Sequence, residues 1–119
     1  MPLKSPGRNP QDLLPLTPAM FHVLVALAEG DRHGYAVMQD VSARTSGRVQ
    51  LGTGTLYGII KRLLADGMIR DSALGSTERR RAYRLTAFGR RVALAEAERL
   101  RELVGAARTK KLIIDPARG

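Results

Sequence analysis

Residues 51–69, LGTGTLYGIIKRLLADGMI, decide how this chain folds. Within them Leu56, Ile59, Ile60, Leu63 and Leu64 recur at i, i+3, i+4, i+7 and i+8. That spacing puts five apolar side chains on one face of a helix, because a turn takes 3.6 residues. Thr53 is the candidate N-cap, since its hydroxyl can accept from a free N–H of the first turn. Gly67 is the candidate C-cap, since glycine enters the left-handed region without a Cβ clash. Beyond Gly67 the period changes. Residues 68–74 (MIRDSAL) can form a strand, residues 75–81 (GSTERRR) read as a turn with a basic exit, and Ala82, Tyr83, Arg84 and Leu85 alternate with period 2. The expectation is a hairpin carrying Arg79, Arg80, Arg81 and Arg84 on its tip and returning strand.

Two helices precede this unit. Thr17 caps the first and Pro18 takes its first position. Met20, Val23, Leu24 and Leu27 form its stripe, Phe21 and Val25 widen it, and Gly30 is its expected end. The second is expected from Asp31 or Arg32 to Thr45, with Asp31 as cap and Tyr35, Val37, Met38 and Val41 as its apolar face. Val49, Gln50 and Leu51 suffice for one edge strand at most. Thr86 caps a last helix that reaches about Arg108, some 22 residues or about 33 Å. Phe88, Val92, Ala95, Leu100, Leu103, Val104 and Ala107 make its stripe, and Leu112, Ile113 and Ile114 follow. Its other face is charged. Glu96, Glu98 and Glu102 there read as solvated partners of Arg99 and Arg101, each pair contributing only a few tenths of a kcal/mol. Residues 1–16 hold four of the six prolines and read as a flexible arm.

The 119 residues support one domain with one core. Hydrophobic residues make up 44% and aromatics 4%, so that core is aliphatic and favours helices. Lys and Arg outnumber Asp and Glu by 20 to 11, a net +9, which suits a polyanionic partner, nucleic acid before membrane. Cysteine is absent, which excludes disulfides, thiolate zinc sites and a Cys nucleophile. His22 and His33 are too few for a histidine cage, so neither metal nor cofactor is expected. An enzyme is not expected either: there is no nucleophile–base pair, no phosphate-cradling glycine loop and no paired carboxylates beyond the helix glutamates. No apolar run approaches the roughly 20 residues that cross a bilayer, and the N-terminus lacks a secretory apolar core. A cytoplasmic protein without a membrane partner is the expectation.

Helix, helix, short strand, helix, hairpin and long helix make a fold that is mainly α with a small β-hairpin. This is a winged helix-turn-helix domain with a long C-terminal dimerisation helix. The expected boundaries are a flexible arm over 1–16, the winged helix over 17–86, the dimerisation helix over 87–114 and a tail over 115–119. In such a domain the third helix enters a major groove about 12 Å wide, and the wing lies beside it. With the leucine face inward, Thr55, Tyr57, Gly58, Lys61 and Arg62 lie on opposite or flanking sides. Thr53 and Gly54 then present the helix N-terminus, which favours a phosphate. The charge follows this geometry. Between Arg70 and Arg91 stand seven arginines against Asp71 and Glu78, which supplies +5 of the +9.

Three stretches occur together: HGY at 33–35, LGTGTLYGIIKRLLADGMI at 51–69 and RRRAYRLTAFGR at 79–90. Jointly they resemble the PadR-type bacterial transcriptional regulators, over about residues 17–108. The resemblance implies a homodimeric repressor that binds double-stranded DNA, and some relatives respond to planar small-molecule effectors. It places Tyr35, Thr53, Gly54, Thr55, Tyr57 and Lys61 on the DNA side, with Arg79, Arg80 and Arg81 of the wing on the backbone. Gly58 stands where many relatives carry proline or a bulkier residue. The chain has no Trp, so the tryptophan sandwich that some relatives use for flat ligands is absent. Phe21 and Val25 of the first helix with Leu100, Leu103 and Val104 of the last are the candidate effector lining. The expected target is an inverted-repeat operator. The competing reading is a protein-interaction module whose basic wing meets an acidic partner.

Overall fold

The computed structural model describes residues 8–73 and 80–114. In chain order come a 3-10 turn (Pro10–Leu13), α1 (Pro18–Ala26), β1 (Arg32–His33), α2 (Gly34–Arg44), α3 (Thr53–Ala65), β2 (Ile69–Ser72), β3 (Ala82–Leu85) and α4 (Ala87–Thr109). The strands form one antiparallel sheet in the order β1-β3-β2. Asp71 stands opposite Tyr83 and Ser72 opposite Ala82, which fixes the register of the wing. Val23, Leu24 and Leu27 from the first helical region, Val37 and Val41 from α2, Leu56, Ile60 and Leu63 from α3, and Val92 from α4 meet in one aliphatic core.

Local chemistry accounts for the ends of these elements. Thr17 caps α1 by accepting the Met20 N–H at 3.1 Å, with Pro18 next in line. The last turn of α3 closes with the Met68 N–H on the Leu63 carbonyl at 2.9 Å and the Gly67 N–H on the Leu64 carbonyl at 3.1 Å. This double bond pattern needs a left-handed residue after the cap, and Gly67 supplies it at φ +74°. Thr86 caps α4 by accepting the Gly89 N–H at 2.9 Å, and its hydroxyl donates to the Gly67 carbonyl at 2.7 Å. The turn after α3 and the start of α4 are thereby one bonded unit.

Several expectations are corrected. α2 begins at Gly34, not at Asp31 or Arg32. Arg32 and His33 extend along β3 instead, and Asp31 accepts a hydrogen bond from the Ser72 hydroxyl and pairs with Arg84 at 3.5 Å. Val49, Gln50 and Leu51 form no strand. The Val49 N–H bonds the Thr45 hydroxyl, and Val49 and Leu51 pack as loop residues against the core. Gly52, not Thr53, is the N-cap of α3, so no side chain bonds its first-turn N–H groups. Residues 10–16 are not a loose arm. Leu16 is buried, and Leu13 and Leu14 pack against the core, because these leucines extend the apolar surface beneath α4. Glu96 is not a solvated surface residue. It is 2% exposed, clasped by Arg99 through bonds of 2.8 and 2.7 Å.

α4 divides in two. Its buried residues, Gly89, Val92 and Glu96, all lie in the first half. From Ala97 to Thr109 none is buried, so the distal helix stands clear of the protomer.

Candidate nucleic-acid interface

The apolar stripe of α3 fixes its outward face. Leu56, Ile60 and Leu63 are 0%, 3% and 0% exposed. Thr53, Gly54, Thr55, Tyr57, Gly58, Lys61 and Arg62 are all exposed. At Gly54 and Gly58 nothing lies within 4 Å of where a Cβ would stand, so no protein neighbour demands glycine there.

Three elements converge beside this face. His33, Gly34, Tyr35, Tyr57, Arg80 and Arg81 line one small hollow formed by the start of α2, the first turns of α3 and the base of the wing. The Tyr57 phenol lies over Gly34. A Cβ at Gly34 would meet the Tyr57 hydroxyl oxygen at 2.5 Å. Gly34 is therefore a seat for the tyrosine, and the two motifs HGY and TLYG are halves of one contact. Tyr57 keeps 40% of its surface exposed, while Tyr35 beside it is 65% exposed. Tyr83 is buried in β3 next to these groups. Burial, with Tyr57 as the next contributor, pushes its phenol above the ordinary range.

The wing arginines do not act as one block. Arg80 and Arg81 are exposed at the start of β3. Arg81 donates to Asp71 across the hairpin at 3.1 Å, and this bond raises its already high pKa, so its charge is permanent. Arg84 pairs with Asp31, Arg90 donates to the Ala28 carbonyl at 2.9 Å, and Arg91 donates to the Arg8 carbonyl at 3.3 Å. Those three bind the protein to itself. Arg79 and the wing tip lie outside the described residues. Among the described residues, the exposed cationic groups near the face of α3 include Lys61 and Arg62 on the helix, Arg62 pairing with Asp66 at 3.4 Å, and Arg80 and Arg81 on the wing.

The structure brings Tyr35, Tyr57, Arg80 and Arg81 together around one hollow, with Thr53, Gly54, Thr55 and Lys61 exposed on α3 itself. The five residues expected to hold an effector are not gathered within one protomer. Phe21 packs against the core, Val25 and Leu100 are half-buried, and Leu103 and Val104 are 56% and 42% exposed. Gly34 was legible only as part of a motif. Its role needs the Tyr57 ring in place.

Three helices, a three-stranded wing sheet and an exposed third-helix face define a winged helix-turn-helix protein. Residues 23–95 match the model of the "Transcriptional regulator PadR-like family", and the chain belongs to that family. The family is one of transcriptional regulators. Among solved structures, a transcriptional regulator from Clostridium thermocellum is 25% identical with a TM-score of 0.63, over 81% of this chain and 92% of that one. A PadR family regulator from Clostridium difficile shares the fold at 19% identity and a TM-score of 0.63, over 76% and 94%. In Streptomyces fradiae, an "Uncharacterized 37.1 kDa protein in transposon TN4556" is 39% identical over 87 residues. That match takes in 73% of this chain but spans only 24% of the Streptomyces protein's length. Among the described residues no helix is long and apolar enough to cross a membrane.

Proposed function

We propose that the chain is a homodimeric repressor that reads an inverted-repeat DNA operator with α3. The observation that carries this reading is the two-sidedness of α3. Its apolar face is sealed in the core, while Thr55, Tyr57 and Lys61 on the other flanks stand exposed beside Arg80 and Arg81. Each group has a chemical task. Lys61, Arg80, Arg81 and the basic Arg79 of the wing neutralise phosphates. Thr53, Gly54 and Thr55 offer first-turn N–H groups to the backbone. Tyr57, seated on Gly34, presents a hydroxyl and a ring edge at a fixed height, with Tyr35 beside it.

The second half of α4 supports the dimer. None of its residues from Ala97 to Thr109 is fully buried in the protomer, yet it carries exposed Leu103 and Val104, with Leu112, Ile113 and Ile114 beyond. A two-fold dimer built through such a surface would need its α3 helices about 34 Å apart to meet grooves one turn of duplex apart. Repression follows where the operator overlaps a promoter. An effector held between protomers by Phe21, Val25, Leu100, Leu103 and Val104 would release DNA only through different affinities for two dimer geometries.

Selection of bound sequences from random duplexes, followed by binding at graded salt, tests the reading. The expected result is a palindromic site whose affinity falls steeply with salt, since phosphate neutralisation releases counterions. Equal binding to every sequence would remove it. Neutralising Arg80 and Arg81 should weaken binding with the dimer intact; unchanged DNA affinity would favour the acidic-partner reading.

A further inference from the structure

Residues 8–16 are held at both ends, and the two ends reach different functional helices. At the first end, Arg8 donates Nη1 to the backbone carbonyl of Asp66, the C-cap of α3, at 2.8 Å. Its guanidinium also lies 3.9 Å from the Asp66 carboxylate and 4.7 Å over the Phe88 ring in the first turn of α4. Arg91 of α4 donates back to the Arg8 carbonyl. At the second end, Leu16 is buried in the core, and the segment packs against α4, where Glu96 is buried and clasped by Arg99. α4 packs mainly on α1, β3 and this segment, and Thr86 at its start bonds the turn that follows α3. The segment is therefore a second tie between the end of α3 and the proximal turns of α4, on top of the Thr86 bonds.

We infer that residues 8–16 form a strap that sets the angle between α3 and α4, with Arg8 as its positioning residue, and so sets the half-site spacing of the operator. The inference rests on the homodimeric DNA-binding reading above. Leverage makes it consequential. α4 is about 34 Å long, so a tilt of a few degrees at its base moves its far end by about 2 Å. In a dimer joined through the distal α4, that displacement is passed to both α3 helices.

The chain has no cysteine, so Lys61→Cys accepts a single nitroxide label, and the label-to-label distance in the DNA-free dimer reports the separation of the α3 helices. The parent should give one narrow distance. Arg8→Ala should move or widen it by about 2–4 Å, twice the roughly 1–2 Å shifts that interface helices undergo. Arg8→Lys should restore it, because a lysine cation still reaches the Asp66 carbonyl. Random-duplex selection with unlabelled Arg8→Ala should return the same half-site at a broader range of spacings. A general loss of stability would lower the thermal midpoint without moving the distance. An Arg8→Ala distance that superimposes on the parent's, or selected sites with unchanged spacing, overturns the proposal. A parent with no label-to-label coupling is not a dimer, and the homodimer reading falls together with the strap. A coupled parent that selects no sequence removes the DNA reading and the operator half of the proposal, and leaves the angle itself to be decided by the distances.

Discussion

Two glycines of this protein are glycine for opposite reasons. Gly58 lies inside α3 with open space where a side chain would go. Glycine in a helix interior costs about 0.5–1 kcal/mol relative to alanine. Gly58→Ala is therefore expected to stabilise the protein by about 0.5–1 kcal/mol, while weakening DNA binding where the backbone lies close to the duplex. Thermal unfolding beside a gel shift checks both halves; a more stable variant with unaltered affinity would show that nothing approaches there. Gly89 is different. A Cβ there would stand 1.9 Å from the Met68 carbonyl oxygen, a backbone atom that cannot rotate away. Gly89→Ala is expected to lose about 2–3 kcal/mol or more, seen as a lower denaturant midpoint. It should also disturb the Thr86 bonds that join α4 to the turn after α3.

At the scale of elements, the Arg99–Glu96 contact on α4 is expected to be acid-sensitive. Arg99 holds the Glu96 carboxylate below the ordinary glutamate range, opposed by burial and helped by the Leu16 N–H. A carboxylate with a depressed folded pKa adds stability that is complete above its unfolded value and lost as pH falls through the folded one. The thermal midpoint should therefore drop as pH passes below the ordinary glutamate range, and Glu96→Gln should flatten that slope while lowering the plateau. A slope identical in the two proteins would assign the acid sensitivity elsewhere. Element existence was largely legible in the sequence: the i, i+3, i+4 leucines gave α3, Thr17-Pro18 gave the start of α1, and Thr86 that of α4. What escaped was decided by partners distant in sequence. Arg32 and His33 carry no strand pattern and extend only because β3 offers a free edge. Glu96 sits among surface-type residues and is buried only in the folded chain, on the half of α4 that packs against the protomer. In the candidate site, the exposed face of α3 could be read from its apolar complement. The seating of Tyr57 on Gly34 could not, since it depends on how α2 meets α3.

For the whole molecule, the protomer is extended. Its radius of gyration is 16.1 Å, against roughly 13–14 Å for a compact chain of this length. The excess fits a distal α4 in which no residue from Ala97 to Thr109 is buried, the surface that the proposed dimer would cover. Leu103→Glu with Val104→Glu should yield a folded monomer with unchanged proximal packing, and operator affinity should fall by orders of magnitude because each protomer then engages its half-site alone. Sedimentation and circular dichroism check the two parts; a double variant that stays dimeric would place the interface elsewhere.

The seating of Tyr57 against Gly34 has an optical corollary. Tryptophan is absent and tyrosine occurs three times, as Tyr35, Tyr57 and Tyr83. Two of them line the hollow beside α3, and the third is buried in β3 of the adjoining wing sheet. Nearly all the intrinsic ultraviolet emission of the polypeptide thus originates within one corner of its surface. A quenching titration with duplex would then monitor occupancy of that corner directly, with no dye attached.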